Sequence, residues 1–530
     1  MPVIMKKTVR IIIALLAVLA PCSCSFLDVD LHNVASADKY YNTVDELEEA
    51  LRGVYATLGD NALYGEAMMG RLGLSADIGY EYYKKDAGTV SYYQASVSDV
   101  KIAAFWRSLY AGIGRANMLL ANIDKVAAAG GDLARREQIR GEALFLRAYY
   151  YYMLVKRFGS VPLVLTPIED INSDAKYVKQ SSARDVYTKI LEDMESAAPM
   201  VRPTDEVEGG WQVSRTAVWG MIARVALNMA GEPVKAEEMY LKAAEYADKV
   251  ISSGFHRLNP SFEQVFINQC QNKFDIAEVL FEVNFWGDNS GIWQTAGTVG
   301  RNIGIASSED SPVGYCMGLL RCNPGLWQLY DNADLRRDWT LSPFRYAADG
   351  SKNMDGENTI LSRKYCAKWR REYEVSKEKS TTNTEINFPV LRYSDVLLMY
   401  AEAYAWHPAG LNRTQALDCL NQVRRRGHGL PLDAASAYDF AGDDDALKTE
   451  IMDERARELA YEMLRKDDLV RWGVFYEKMQ AALANIDGSS SSYQQAAIAT
   501  YSSVRRRDVL WPIPAREISV NPLLEQNPSW

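Results

Sequence analysis

A chain of 530 residues with 48% hydrophobic and 24% charged residues has the length of two or three ordinary domains or one large repeated assembly, and its composition excludes disordered and fibrous classes. The formal net charge of −10 argues against a nucleic-acid partner, which needs clustered Lys and Arg; the runs Arg424 to Arg426 and Arg505 to Arg507 are short and are expected to be solvated helix or loop ends. Tyrosine is the outlier, 31 against 14 Phe and 12 Trp, which supplies flat rings with a polar tip suited to wet interfaces.

At the N-terminus, Lys6, Lys7 and Arg10 precede the apolar run Ile11 to Ala20. Ten residues are too few to span a bilayer, which takes roughly 20, so this is a signal-peptide core and not a membrane span. Small residues then lead into cysteine, which resembles a bacterial lipobox. Cys24, preceded by Ser23, is the expected lipid-attachment point; Cys22, with Leu19 at the favoured apolar position but Pro21 before the cut, is the alternative. Two or more acyl chains hold a soluble domain stably on a membrane. The other cysteines, Cys270, Cys316, Cys322, Cys366 and Cys419, show no CxxC spacing and are odd in number; Cys316 with Cys322 is the nearest pairing candidate, against both being free.

From Ile102 the apolar positions Trp106, Leu109, Ile113, Ala116, Leu120 and Ile123 recur in steps of three and four, which predicts a helix stopped by Gly130 and Gly131. Within it, "GIGRAN" (Gly112, Gly114, Asn117) is near a dinucleotide pattern. No strand precedes it, so the glycines are read as helix contacts. A second helix through Ile139, Ala143, Leu146, Tyr150 and Met153 ends at Gly159, making a hairpin. The design repeats from Arg215, where Ala217, Gly220 and Ala223 permit close helix approach, Gly231 and Pro233 interrupt, and Tyr240, Ala243 and Ala247 line the return helix. Its period of about 40 residues is close to a tetratricopeptide unit. Further helices are expected over Ser394 to Ala405, Thr414 to Arg426, and Ala446 to Leu464 after the acidic run Asp443 to Asp445.

Between Pro260 and about Pro389 the chain turns rich in Gly, Asn, Ser and Trp, has one strand in "VLFEVNF" (Val279 to Phe285), and shows no sustained helical period. Such loops display binding residues on a rigid support. The fold class is therefore mainly α: a leader over 1–23, then one domain over 24–530, with helical hairpins over about 40–255 and 390–480, an irregular loop-rich insert with minor β over about 260–389, and a tail over 505–530.

Catalytic and metal signatures are missing from the sequence. His32, His256, His407 and His428 have no HExxH or Cys/His ligand spacing, and no GxSxG elbow occurs. "DGSKNMDGE" (Asp349 to Glu357) lacks the glycine of a calcium loop and reads as a solvated turn. Glu454, Arg455, Glu458, Arg465, Asp468 and Arg471 alternate in sign at helical spacing, which suits ion pairs between a helix and the segment after it. Neither cofactor nor metal is expected. Carbohydrate binding asks for something else: exposed flat rings flanked by amides, carboxylates or Arg. Tyr149 to Tyr152 lie inside a helix and are assigned to the core. Tyr80, Tyr82 and Tyr83, and Trp286, Asp288, Asn289 and Trp293, lie off the helices and are the ligand-binding candidates.

The stretches "CSFLDVD", "WRSLYAGIGRANMLLANID", "GEALFLRAYYYYMLVKRFGSVPL", "RTAVWGMIARVALNMAG", "LRYSDVLLMYAEAYA", "ERARELAYEMLRKDDLVRWG" and "LWPIPAREISVNPLLEQNPSW" together resemble the SusD/RagB family of surface lipoproteins of Bacteroidetes, in the family's order and over nearly the whole chain. Two positions depart from it: Met463 stands where the family usually has glycine, and Lys466 where it usually has an aromatic. The resemblance implies a fold of tetratricopeptide-like hairpins and a lipid anchor at the cell surface in the outer membrane. It also implies a SusC-like TonB-dependent barrel as partner, which imports the captured glycan. A peptide ligand, as in the RagB branch, is the alternative, and a surface glycoside hydrolase a more distant one.

Overall fold

The structure, a computed structural model, describes residues 40–126, 132–168, 176–287, 296–354, 360–376, 378–486 and 491–530. Cys22, Cys24, the Gly130–Gly131 stop and the last residues of the "DGSKNMDGE" turn lie outside them.

Helices α1 (Val44–Tyr55), α2 (Val100–Asn122), α3 (Leu133–Phe158), α4 (Ala183–Ala197), α5 (Arg215–Ala230) and α6 (Met239–Ser252) follow one another, each of α2 to α6 packed against the one before. Their starts are written locally. Thr43 and Glu46 form a reciprocal capping box, Asp99 accepts from the Lys101 and Ile102 N–H groups, and Ser182 and Ser214 cap α4 and α5. Tyr149 to Tyr152 are all buried, because α3 is enclosed by α1, α2, α4 and α5 and has no solvent face along that stretch. A Cβ on Gly112 would lie 2.7 Å from the Tyr150 ring, and one on Gly220 2.6 Å from Leu391, so these glycines set close approaches; Gly114 has open space.

After α6 the stack skips more than a hundred residues. Helix α8 (Tyr393–Trp406) packs directly on α6, then on α9 (Arg413–Gly427) and α10 (Asp444–Leu459), so the hairpin series continues in space where it is interrupted in sequence. The interruption carries helix α7 (Phe262–Cys270), which the sequence reading left unassigned, and strands β2 (Val279–Val283) and β4 (Phe388–Arg392), paired antiparallel at its two ends. A second pair joins β1 (Gly79–Glu81) to β3 (Leu320–Cys322), tying the loop after α1 to the insert.

Three expectations need correction, and one open alternative, the pairing of Cys316 with Cys322, is decided. The helix expected to run to Leu464 stops at Leu459: Tyr461 and Met463 adopt left-handed φ of 66° and 61°, and a separate helix α11 (Arg465–Arg471) follows. Position 463 thus needs the conformation glycine takes most easily. The strand expected to reach Phe285 ends at Val283. Cys316 and Cys322 are both free and buried, as are Cys270, Cys366 and Cys419. The run Arg424 to Arg426 is not solvated, since Arg426 is fully buried against Glu458 at 2.5 Å. Helices α12 (Phe475–Ala484) and α13 (Ser492–Ser503) complete the chain as a hairpin before the tail.

Candidate functional site

The described candidates lie on two segments that the fold joins. The loop 60–95 reaches the insert through β1 and β3, through the Tyr82 N–H donating to Leu319 O (2.8 Å), and through the Thr298 hydroxyl donating to Gly65 O (2.8 Å). Phe285 packs on Gly297, which pairs with Thr384, and the next residue, Trp286, is thrown outward: its side chain is 55% exposed, an uncommon state for so large an apolar ring. Gly287 N–H donates to Glu385, fixing the backbone just beyond it. Asp288, Asn289 and Trp293 lie outside the described residues.

Tyr82 and Tyr83 are half-buried, each with a guanidinium against its ring: Arg321 is 5.7 Å from the Tyr82 centroid and Arg71 is 5.0 Å from that of Tyr83. Arg71 also pairs with Glu66 at 2.6 Å and Asp86 at 3.2 Å, which holds it in place. Tyr80 is different. Its side chain is fully buried and its hydroxyl donates to Ser362 O at 2.8 Å, so it has no face for a ligand and is corrected to a core residue. All three residues of β1 are buried, so Tyr80 belongs to the core, while Tyr82 and Tyr83 lie just beyond the strand's end.

The structure adds residues that sequence reasoning missed. Tyr493, from α13, places its ring 4.6 Å from that of Tyr82, while Ser492 accepts the Tyr82 hydroxyl at 3.2 Å. Arg321 is 4.6 Å from the Tyr493 ring and 3.7 Å from that of Tyr365. Arg301 lies 5.9 Å from the half-buried Tyr315 ring and donates to Thr381 O. No local signal marks these: Tyr493 follows a serine run, and its partner is some 400 residues away. The part-exposed rings of Tyr82, Tyr83, Tyr315 and Tyr493, with Arg71, Arg301 and Glu66 beside them, are suited to stacking on an apolar sugar face while bonding hydroxyls; the buried Arg321 and Tyr365 back them from inside.

The loop bearing Tyr82 and Tyr83 is held from below. Gly73 (φ 67°) and Leu74 donate their N–H groups to the buried Glu81 carboxylate at 3.1 and 2.9 Å, and a Cβ on Gly73 would meet Val90 O at 2.2 Å. Burial pushes the Glu81 carboxyl up to about 7, the two N–H donors pulling the other way. Among the described residues no group of His, Cys, Asp and Glu is arranged to hold a metal ion. His256 is spent on Ile276 O and the Thr216 hydroxyl, and burial lowers it to about 4. Among the same residues no helix is long and apolar enough to cross a membrane.

Comparison with known proteins gives one consistent family. A model described as "SusD family" matches residues 338–530, and one described as "Starch-binding associating with outer membrane" matches 25–227. SusD-like protein P2 of Formosa agariphila is 25% identical over 99% of this chain and 100% of its own. The crystal structure of a SusD homologue from Bacteroides thetaiotaomicron superposes with a TM-score of 0.83 at 26% identity, covering 93% of this chain and 98% of that one. A laminarin-binding SusD-like protein shares the fold, with a TM-score of 0.69 at 22% identity over 92% of this chain and 100% of that one.

Proposed function

Since the chain belongs to the SusD/RagB family, and one of its two matching models is described as starch-binding and associated with the outer membrane, we propose that it is a surface lipoprotein that captures an oligo- or polysaccharide and passes it to a SusC-like TonB-dependent transporter. The observation that carries this reading is the display of Trp286, Tyr82 and Tyr83 on loops off the helical frame, with the part-exposed Arg71 against the Tyr83 ring. Rigid rings lose little conformational freedom on binding, and the adjacent charged groups bond hydroxyls at their edge. Asp288, Asn289 and Trp293 join them on sequence grounds. Binding and handover need no covalent step, so the protein acts without catalysis. Cys24, or else Cys22, carries the lipid and restricts the search for both ligand and transporter to the membrane surface.

Calorimetric titration against a panel of oligosaccharides and peptides tests the reading. The expected outcome is saturable binding of a glycan, weakened about tenfold by Trp286→Ala with the melting temperature unchanged. Binding confined to peptides would replace the glycan with a peptide ligand. Release of cleaved sugar would replace capture with hydrolysis, and unchanged affinity in the variant would remove Trp286 from the site.

A further inference from the structure

A cavity of about 200 Å³ opens between α11, α12 and the tail, lined by none of Tyr82, Tyr83 and Trp286. Pro233 and Leu510 form an apolar wall, Tyr476 presents a half-buried ring, and Glu232, Glu477 and Arg506 line the cavity with polar groups. Arg506 lies 4.5 Å from the Tyr476 ring centroid and pairs with Glu477 at 2.8 Å. We infer that this cavity is a second carbohydrate subsite, shaped for one neutral sugar ring, at the far end of the α12–α13 hairpin from Tyr82 and Tyr493.

The chemistry fits on three counts. A pyranose has an apolar face and an edge of hydroxyls, and the cavity supplies both a ring with an aliphatic wall and acceptors beside a donor fork. The volume is below that of a drug-sized pocket, so it holds one ring and not a chain. Two carboxylates stand beside one guanidinium, which disfavours an acidic sugar. The Arg506–Glu477 pair rearranges readily around a ligand, because both side chains are largely exposed and solvent screens their attraction.

Position gives the cavity its meaning. One end of the hairpin rests on the loop 80–94 through the Phe475 and Tyr93 rings, 5.9 Å apart, and through Gln94 donating to Ser503; the other end brings Tyr493 onto Tyr82. Helix α12 has ten residues, so the two subsites stand about 15 Å apart along it. A polysaccharide long enough to touch both is held by avidity, which a short oligosaccharide cannot exploit. This inference rests on the glycan reading.

Saturation-transfer NMR with the methyl glycosides of glucose, galactose and mannose tests it, using protein in which Tyr83→Ala and Trp286→Ala disable the first site. Transfer to at least one glycoside is expected to persist there and to be lost when Tyr476→Ala or Arg506→Ala is added. Arg506→Ala, at an exposed position, decides the matter if Tyr476→Ala fails to fold. Transfer that is absent from the first-site variant, or unchanged by both added substitutions, overturns the second subsite. If the wild type then still binds glycan through Trp286, the proposed function stands alone; a wild type silent toward every sugar removes both.

Discussion

Lys466 keeps its ammonium inside a box of rings, 4.7 Å from the Tyr93 centroid, 5.4 Å from Phe475 and 5.8 Å from Trp511, with Gly73 O accepting at 3.4 Å. Burial lowers its pKa to about 7 and Arg157 adds to the effect, against Asp508, Asp467 and Glu81. A depressed amine binds fewer protons folded than unfolded, so its contribution is favourable above the unfolded value of 10.5 and is lost as pH falls through about 7. Lys466→Met removes the buried charge and keeps the volume. It is expected to stabilise the protein by about 1 to 3 kcal/mol at pH 7, with the gain shrinking as pH rises toward 10. Urea unfolding at the two pH values measures this, and a loss at pH 7 would mean that the bond to Gly73 outweighs the burial cost. The sequence marked this position and Met463 as departures from the family, but the reasons became visible only with the ring box and the left-handed backbone in place. Tyr80 shows the reverse: an off-helix tyrosine reads as exposed until its strand is paired.

Helices were legible where their information is local. Caps, breaker glycines and apolar steps of three and four all lie within one segment, so α3, α5, α8 and α9 could be read to within a few residues, while α2 ends at Asn122, well before the Gly130 stop read for it. The pairings of β1 with β3 and β2 with β4 join positions more than a hundred residues apart, and short buried strands carry no periodicity that names a partner. The insert was therefore visible as a change of texture and not as an architecture. The two glycines of "GIGRAN" separate packing from propensity within one turn of α2. Gly112→Ala places a methyl 2.7 Å from Tyr150 and 2.8 Å from Thr57 and is expected to destabilise by about 1 to 3 kcal/mol. Gly114→Ala meets nothing within 4 Å and is expected to stabilise by about 0.5 to 1 kcal/mol. Urea denaturation of the two variants checks the pair; the same sign for both would mean that α2 does not approach α3 as described.

Across the whole molecule, the charges read as pairs between one helix and the segment after it form a wider buried lattice joining the two helical series to the insert. Glu458 forms ion pairs with Arg336 (3.2 Å), Arg392 (2.9 Å) and Arg426 (2.5 Å), which come from the insert, β4 and α9. Beside it, Arg455 bridges Asp395 of α8 and Asp468 of α11, Arg224 of α5 reaches Asp395, and Arg471 reaches Glu402. Alternating sign at helical spacing was read from the sequence as pairing between a helix and the segment after it, which Arg455 with Asp468 bears out; the partners on more distant elements could not be read, because ion pairing leaves no mark on the sequence around either residue. The surrounding guanidiniums hold Glu458 well below the usual carboxylate range and Glu454 at about 2, although burial alone would raise both. Depressed carboxyls contribute stability that is present above their unfolded value near 4.5 and is lost as pH falls through the folded one. Removing one partner of such a cluster leaves the others charged and buried. Glu458→Gln nearly preserves volume, and is expected to cost about 3 to 5 kcal/mol at pH 7. Because Glu458 no longer titrates, the stability gap between wild type and variant should narrow as pH falls below 4.5. Thermal unfolding of both proteins from pH 7 to pH 3 reads the gap directly. A gap that stays constant across that range would mean that the charge on Glu458 is not what joins the helical series to the insert, and that its shape and hydrogen bonds are.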